Sequence, residues 1–265
     1  MKSHILITIR YSLLTSNLRS SWKIGSNEKS FEDYKKELFD IKRMNFREYV
    51  FSNITLPSLN YIKKNIPEDC DFNVFIITSD ELPSNNLSFL KNIESNHDYI
   101  KIFEQSSNNS DLNSPTVEYL NSKNVDDVYA SVRLDDDDAL SIEWLNEILT
   151  YMQAKFDDYV ISLSSGLAVK LENNQINEVA NYKWRFASAG LTYIGINNKK
   201  ITTIYSLGNH TKIDEIKKTI IHSKGNYLIR TFSSFNDSKD QFPKNQTLHE
   251  YDADSKLKSF GLNLV

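Results

Sequence analysis

Four aspartates stand in a row at residues 135–138, directly after the apolar stretch 128–134. That stretch predicts a buried strand, which would place the four carboxylates at its carboxyl end. Ligands of open α/β sheets bind outside the carboxyl ends of the strands. Adjacent carboxylates also repel one another, which raises some of their pKa values unless a cation offsets the repulsion. The run therefore predicts a binding site for a hard divalent cation.

Carboxylate oxygens suit Mg²⁺ or Mn²⁺, which bind through one or two protein carboxylates while phosphates and waters fill the remaining positions. A nucleoside diphosphate would supply such phosphates, and the metal would stabilise the charge of a departing diphosphate. Arg133 interrupts the strand beside the carboxylates, where it could pair with them or with a phosphate, or simply face outward. The alternative for the run is capping of the helix that begins near Ser141, but four carboxylates exceed what capping needs.

Other acidic motifs fit less well. An EF-hand loop counted from Asp135 needs Gly at its sixth position and Glu at its twelfth, where this chain has Leu140 and Asn146. Phosphatases resembling haloacid dehalogenases carry Thr or Val where this chain has Ala139, which weakens that alternative without removing it. No Walker loop, GxGxxG or Gly-x-Ser-x-Gly motif occurs, so nucleotide-hydrolase, dinucleotide-enzyme and α/β-hydrolase functions lack support.

Short β-branched and aromatic runs alternate with helical patterns along the first part of the chain. Helical spacing occurs at residues 46–54 and 142–152, and Ser141 is the predicted N-cap of the second helix. The predicted strands are residues 4–9, 72–78, 99–103, 128–134, 159–164, 191–196 and 201–205. This alternation predicts a mostly parallel sheet with helices on its faces, becoming mixed after residue 160. The tail after residue 248 gives no clear assignment.

A chain of 265 residues allows one large α/β domain, and its net charge of −4 argues against nucleic acid as a partner. The single cysteine, Cys70, excludes an intramolecular disulfide, and no apolar run is long enough for a signal peptide or a membrane span. We therefore expect a cytoplasmic protein. A basic cluster forms either a solvated helix face or a contact with the inner face of a membrane: Lys35, Lys36, Lys42, Arg43 and Arg47.

Residues 133–140, Arg-Leu-Asp-Asp-Asp-Asp-Ala-Leu, resemble the DxD segment of GT-A glycosyltransferases, and in particular that of the bacterial "putative rhamnosyltransferase" family. Residues 4–12, which read His-Ile-Leu-Ile-Thr-Ile-Arg-Tyr-Ser, are similar to the opening strand of that family. Leu-Pro-Ser-Leu at 56–59, Phe-Ile-Ile-Thr-Ser-Asp-Glu-Leu-Pro at 75–83 and Ser-Ala-Gly-Leu at 188–191 are also similar to their counterparts.

The resemblance implies a single GT-A domain over residues 1–265, an α/β fold with a Rossmann-like mixed sheet flanked by helices. Residues 1–140 would bind the nucleotide sugar, and residues 141–265 would bind the acceptor. The implied activity is transfer of a sugar from a nucleotide-sugar donor to a glycan or lipid-linked glycan during synthesis of a bacterial surface polysaccharide such as a capsule. Mn²⁺ or Mg²⁺ would be the cofactor, and the family name points to rhamnose.

The resemblance assigns the nucleotide sugar to five residues, namely Arg10, Asp80, Arg133, Asp135 and Asp136. Arg10 is expected at a phosphate, Asp80 at the base, and Asp135 at the ribose or the metal, while Asp136 orients the metal shell or contacts the donor sugar. Structural roles stay open for two of them, because a strand-end arginine can be structural and Asp80 can form a turn.

The metal is assigned to Asp137 as the principal ligand, with Asp138 in its shell and His210 contributing after a late strand, unless His210 is structural. Asp214 is the candidate catalytic base, with the first turn of a helix near Thr211 as its structural alternative.

Two tryptophans are candidates for contact with a sugar. Trp22 and Trp184 could stack on a sugar face, although buried packing is the expected role of each. His222 and Tyr227 are weaker candidates for the site.

Two other functions remain as alternatives to a glycosyltransferase. They are a metal-dependent phosphatase or phosphotransferase and a noncatalytic GT-A-like binding module.

Overall fold

Two sheets form the framework of the computed structural model, which describes residues 2–16, 30–198, 200–236 and 241–263. Numbered along the chain, the strands of the larger sheet are β1 (Ser3–Arg10), β2 (Cys70–Ser79), β3 (Ile100–Gln105), β4 (Val128–Asp135), β6 (Tyr159–Leu163), β9 (Leu191–Ile196) and β10 (Lys218–His222). Their spatial order is β10-β6-β9-β4-β1-β2-β3, and only β9 runs antiparallel to its neighbours among these described strands. Strands from before and after residue 140 therefore pair in one mixed sheet, which confirms the predicted fold class.

Helices cover both faces of the larger sheet. The α-helices of the described residues are α1 (Phe31–Leu38), α2 (Ile41–Val50), α3 (Leu56–Lys64), α4 (Ser84–Asn96), α5 (Ser114–Asn121), α6 (Ile142–Tyr151) and α7 (Glu250–Leu257). Ile5 and Ile7 of β1 belong to the core cluster on the side of α2, α3, α4 and α6, whereas Leu6 packs in the cluster that contains Leu120 of α5. This two-sided burial explains why β1 is a continuous apolar run. No helix in the described ranges is long and apolar enough to cross a membrane.

A π-helical turn (Phe51–Thr55) joins α2 to α3 without a break. Pro57 follows in the first turn of α3, where its missing N–H is tolerated. The turn directs Thr55 toward the acidic run, and the Thr55 hydroxyl donates to the backbone carbonyl oxygen of Asp136 at 3.1 Å. The predicted helix at residues 46–54 is thus confirmed. The π-helical turn is an added feature, and such turns often occur at functional sites.

The smaller sheet begins immediately after the acidic run. Its strands are β5 (Ala139–Leu140), β7 (Ser165–Glu172), β8 (Gln175–Lys183) and β11 (Leu228–Phe232), in the order β5-β11-β7-β8. The β7–β8 hairpin turns at Asn173 and Asn174, whose φ angles of 52° and 58° suit a residue type that tolerates the left-handed region.

The predicted strand at residues 201–205 is wrong. Backbone groups of this segment bind side chains of β4 instead of a neighbouring strand: Thr202 N–H donates to the Tyr129 hydroxyl, and Ile204 N–H donates to the Ser131 hydroxyl. A short 3₁₀ helix follows at Tyr205–Leu207. The tail, which gave no assignment from sequence, contains α7, and α7 buries Ala253 and Leu257 in a cluster with the smaller sheet.

Replacing Ser141 with alanine should lower the free energy of unfolding by about 1 kcal/mol, because its hydroxyl accepts the Trp144 N–H at the start of α6 and Trp144 is fully buried in the main core. Ser30→Ala is the matched control. Ser30 caps α1, which packs on a small peripheral cluster, so its loss should affect global unfolding less. Urea denaturation of both variants measures the difference, and equal losses would contradict this ranking.

Candidate functional site

A cavity of about 370 Å³ opens where β1 and β4 end. Arg10 and Asp135 are the last residues of these neighbouring parallel strands and are partners in register, so their side chains emerge at the same edge of the sheet. Charged residues dominate the lining, which includes Arg10, Arg43, Arg47, Arg133, Arg230 and all four aspartates of the run. The cavity therefore combines five guanidinium groups with four carboxylates.

Asp135 is held ionised. The Ser188 hydroxyl donates to its Oδ2 at 3.0 Å, and a guanidinium nitrogen of Arg133 lies 3.7 Å from its Oδ1. Burial alone would raise the pKa of Asp135, but Arg133 and Arg10 hold that pKa below its usual range. Its side chain is 23% exposed, which leaves it open to the cavity.

Asp136 turns instead to a buried arginine. Nη1 of Arg47 lies 2.6 Å from Oδ1 of Asp136 and 2.9 Å from Oδ2 of Asp137, so one guanidinium bridges two adjacent carboxylates. Burial raises the pKa of Asp136 to about 6 although Arg47 opposes the shift. Its Oδ2 has no hydrogen-bond partner in the described part of the chain, which agrees with a carboxylate that burial destabilises.

The last two aspartates of the run also differ from each other. Asp137 accepts a hydrogen bond from the Asn236 amide at 3.2 Å, and its side chain is 11% exposed. Asp138 accepts the backbone N–H of Thr231 in β11 at 3.2 Å, and burial together with the charge of Asp137 raises its pKa well above the usual range. Asp138 thus anchors the run to the smaller sheet.

Arg133 connects the acidic run to His210. Its Nη1 lies 3.4 Å from Nδ1 of His210, and its guanidinium lies over the Tyr205 ring, 5.4 Å from the centroid. An arginine can only donate, so Nδ1 accepts and the proton of the neutral imidazole sits on Nε2. Burial and the charge of Arg133 lower the pKa of His210 to about 4, which keeps the ring neutral at pH 7.

The prediction of a basic surface cluster is wrong for Arg43 and Arg47. Both face the cavity and are buried, with 5% and 4% exposure, so neither belongs to a solvated helix face or to a membrane contact. Arg43 donates to the Ser12 hydroxyl at 3.0 Å and to the Leu38 carbonyl oxygen at 2.8 Å, which ties α2 to the segment after β1.

Two residues assigned from sequence lie away from the cavity lining. Asp80 follows β2, is exposed, and donates its backbone N–H to the Gln105 carbonyl oxygen at the end of β3. Asp214 is ion-paired with the exposed Arg185 at 2.6 Å. The geometry therefore gives no support to a base-binding role for Asp80 or to a catalytic role for Asp214.

Among the aromatic candidates, Trp184 lines the cavity, whereas His222 and Tyr227 do not. Trp184 is 52% exposed and lines the cavity, so the expectation of buried packing is wrong for this residue. Trp22 lies outside the described residues. His222 faces the Tyr151 hydroxyl at 2.5 Å, and Tyr227 packs in the main core. Neither of these last two residues lines the cavity.

The side chains that could bind a metal ion determine which kind of metal site is possible. Within the described ranges, no three His, Cys, Asp or Glu side chains form a group that could hold a metal ion, so Asp137, Asp138 and His210 share the cavity without forming one. Asp135 and Asp137 do offer two carboxylates in the cavity lining. Two carboxylates suffice for Mg²⁺ or Mn²⁺ when substrate phosphates supply further ligands. The residues fit a metal bound jointly with a diphosphate.

Sequence reasoning missed several residues that build the site, namely Arg43, Arg47, Arg230 and Asn236. Arg230 carried a usable signal, because it interrupts an apolar strand in the same way as Arg133. Asn236 carried none, since an amide in a polar loop is unremarkable until its partner Asp137 is known.

Comparisons with known proteins place the chain in a family. No curated protein matches the sequence. Among solved structures, S. aureus TarS 1-349 is 13% identical with a TM-score of 0.43, covering 87% of this chain and 60% of TarS 1-349. The same protein in complex with UDP-GlcNAc is 13% identical with a TM-score of 0.44, covering 98% and 71%.

A third solved structure, a B. anthracis glucose-1-phosphate thymidylyltransferase, described as putative, in complex with a sucrose, is 12% identical with a TM-score of 0.38, covering 85% and 88%. These structural likenesses are distant, and the assignment comes from the family match, which spans residues 4–245. The chain belongs to the glycosyltransferase family described as "Putative rhamnosyl transferase".

Proposed function

We propose that this glycosyltransferase uses a divalent metal at Asp135 and Asp137 to transfer a sugar from a nucleoside diphosphate to a glycan. The observation that carries the proposal is the difference in exposure within the acidic run. The side chains of Asp135 and Asp137 are 23% and 11% exposed, against 7% for Asp136, and Asp138 is buried against the Thr231 N–H. The first and third residues are thus more accessible than the residue between them, which suits a DxD arrangement in which the first and third residues serve the ligand.

The charge of the cavity supports a metal and a diphosphate arriving together. A bound cation would favour the ionised form of every aspartate, and the five arginines and four aspartates of the cavity would then nearly balance. A sugar nucleotide brings about two negative charges through its diphosphate, and one divalent cation offsets them. Binding both leaves that balance unchanged, whereas the cation alone would leave uncompensated positive charge in a partly buried site.

Three arginines of the cavity lining are suited to the diphosphate. Arg10, Arg133 and Arg230 line the cavity together with Asp135, and their positive charges help to hold the pKa of Asp135 below its usual range. Guanidinium groups bind phosphate oxygens through paired hydrogen bonds and remain charged throughout catalysis. These residues would orient the donor and stabilise the charge that grows on its leaving group.

Positioning residues keep the Asp135 and Asp137 carboxylates in place. The Ser188 hydroxyl orients Asp135, and the Asn236 amide orients Asp137. A metal bound there would act as a Lewis acid toward the departing diphosphate. Arg47 holds Asp136 and also contacts Asp137, which keeps the spacing between these adjacent charges fixed.

The family description supports a proposal for the donor sugar. It names rhamnosyl transfer, so we propose a rhamnosyl donor, and we propose as acceptor the bacterial surface glycan, such as a capsule, that the sequence resemblance implies. Half-exposed Trp184 at the cavity rim supports a sugar ligand, because an aromatic face can pack against the C–H face of a sugar ring. Family membership also favours transfer over the phosphatase and noncatalytic alternatives.

Metal-dependent nucleotide binding tests the proposal directly. UDP, GDP, CMP and dTDP are added to the protein with and without Mn²⁺, and the melting temperature is recorded. A nucleotide present at about 100 times its Kd should stabilise the fold by about 2.7 kcal/mol, a shift of roughly 5–10 °C, and only when Mn²⁺ is present. No shift with any of the four nucleotides would contradict the proposed site.

The variant Asp137→Asn sharpens this test, because it removes the charge and keeps the shape of the side chain. We expect the Mn²⁺-dependent shift to disappear in Asp137→Asn and to persist in the control Asp126→Asn. Asp126 is exposed, lies outside the cavity lining and has a φ of 74°, a conformation that Asn also tolerates. An unchanged shift in Asp137→Asn would exclude Asp137 as a metal ligand.

Arg47→Ala should cost about 3–5 kcal/mol of stability at pH 7.5, because it leaves buried carboxylates without their counter-ion. The cost should shrink at pH 5. The pKa of Asp136 is already raised to about 6, and losing Arg47 raises it further, so the folded variant gains stability by taking up a proton as the pH falls.

The control for this substitution is Arg185→Ala, which breaks an ion pair whose arginine side chain is 64% exposed and should cost less than about 1 kcal/mol. Urea denaturation at both pH values gives the comparison. Equal losses for the two arginines, or a loss for Arg47→Ala that stays constant between pH 7.5 and pH 5, would show that the bridge to Asp136 and Asp137 is not the stabilising contact.

A further inference from the structure

A second cavity, of about 740 Å³, lies beside the first and takes no part in the proposed donor site. Its lining combines residues of α2, the β7–β8 hairpin and the segment after β11, namely Lys42, Asn45, Phe46, Lys170, Leu171, Glu172, Asn173, Asn174, Phe232, Ser233, Ser234, Phe235 and Phe242. Its volume lies in the range of cavities that bind small molecules.

The two cavities share walls at two places in the chain. Phe46 lines the second cavity, and the next residue, Arg47, binds the acidic run in the first. Phe235 lines the second cavity, and the next residue, Asn236, donates to Asp137. Consecutive residues lie about 3.8 Å apart along the backbone, so the two cavities adjoin at these positions.

Aromatic rings form the apolar part of the second cavity. The Phe46 and Phe235 rings pack with centroids 5.1 Å apart, and the Phe232 and Phe242 rings meet edge to face at 5.8 Å. Phe235 and Phe242 remain half-buried, so part of each ring faces the cavity. These rings offer flat apolar surfaces of the kind that the C–H face of a sugar covers.

Amides and hydroxyls form the polar part. Asn45, Asn173, Asn174 and Ser234 are exposed and line the cavity, and together they can both donate and accept hydrogen bonds. Sugar hydroxyl groups require partners of both kinds. Flat apolar rings edged by such groups therefore suit a carbohydrate better than they suit a purely apolar ligand.

The charges of the second cavity exclude a strongly anionic ligand. Lys170 is paired with Glu172 at 2.7 Å and with Glu178 at 2.9 Å, so its charge is already matched by carboxylates. The remaining cation of the lining, among the described residues, is Lys42. This near neutrality contrasts with the five arginines of the first cavity and favours a neutral glycan over a phosphate-bearing chain.

We propose that the second cavity binds a neutral oligosaccharide segment of the acceptor glycan, next to the sugar that receives the transfer. This inference rests on the proposed transferase function. The segment from Ser233 to Asn236 forms the wall between the two cavities, and its Asn236 amide holds Asp137. A glycan anchored against Phe235 would thus have its growing end directed to the donor site.

The test fills the second cavity and leaves the first intact. Asn45→Trp and Ser234→Trp each place a bulky ring in the second cavity, and neither residue belongs to the donor site. Asn92→Trp is the matched control, because Asn92 is an exposed helical asparagine outside both cavities. Labelled proteins are applied to a glycan array with Mn²⁺ present. The array carries neutral oligosaccharides of rhamnose, glucose and N-acetylglucosamine together with the matching monosaccharides. It also carries sialylated and phosphorylated chains.

We expect the wild-type protein and Asn92→Trp to be retained by neutral oligosaccharides more strongly than by monosaccharides, and both filled variants to lose about tenfold or more of that retention. Retention only by anionic chains, equal retention by filled and wild-type protein, or no retention of any oligosaccharide would overturn the inference.

Nucleotide melting shifts measured on the same samples separate this inference from the proposed function. Missing shifts in the wild-type protein would count against the transferase site itself. Normal shifts combined with unaltered glycan retention in the filled variants would overturn only the second cavity. A filled variant that loses its nucleotide shift as well would also contradict the inference, because the two cavities would then not be separate sites.

Discussion

Repulsion among four adjacent carboxylates, three of them buried, is the constraint on which the rest of this structure depends. Each carboxylate faces its neighbours and the buried ones also lose hydration, so each needs a protein group that binds it. The partners come from different parts of the chain: Arg47 from α2 for Asp136, the Thr231 amide from β11 for Asp138, and Arg133 with Ser188 for Asp135. Any arrangement of elements that failed to supply one of them would leave a carboxylate of the run without its partner.

This constraint explains features of the fold that packing alone leaves unexplained. The helix α2 continues through a π-helical turn into α3, which directs Thr55 to the Asp136 carbonyl oxygen while Arg47, two turns earlier, reaches its carboxylate. The smaller sheet begins at Ala139, directly after the run, so β11 lies close enough for its backbone to bind Asp138. The acidic run is thus the joint between the two sheets.

Sequence patterns predicted the parts of this arrangement that depend on local order. Strands β1 and β4, the carboxylates at the end of β4 and the Ser141 cap all follow from short-range periodicity. Arg47 did not, because its partner Asp136 lies 89 residues away and a basic helical residue usually faces solvent. Residues 201–205 have the composition of a strand, yet Tyr129 and Ser131 take their backbone amides, and only the folded chain brings those groups together.

The segment from Thr231 to Asn236 gives the two cavities a common support. Its first residue binds Asp138, its last binds Asp137, and Phe235 between them lines the second cavity. A ligand packed against Phe235 would therefore restrain the same backbone that positions Asp137. The proposed sugar transfer joins two substrates, and much of the barrier of such a reaction is the entropy lost in aligning them. A wall shared by the two proposed sites would lower that loss, because ordering the segment for one substrate would also order it for the other.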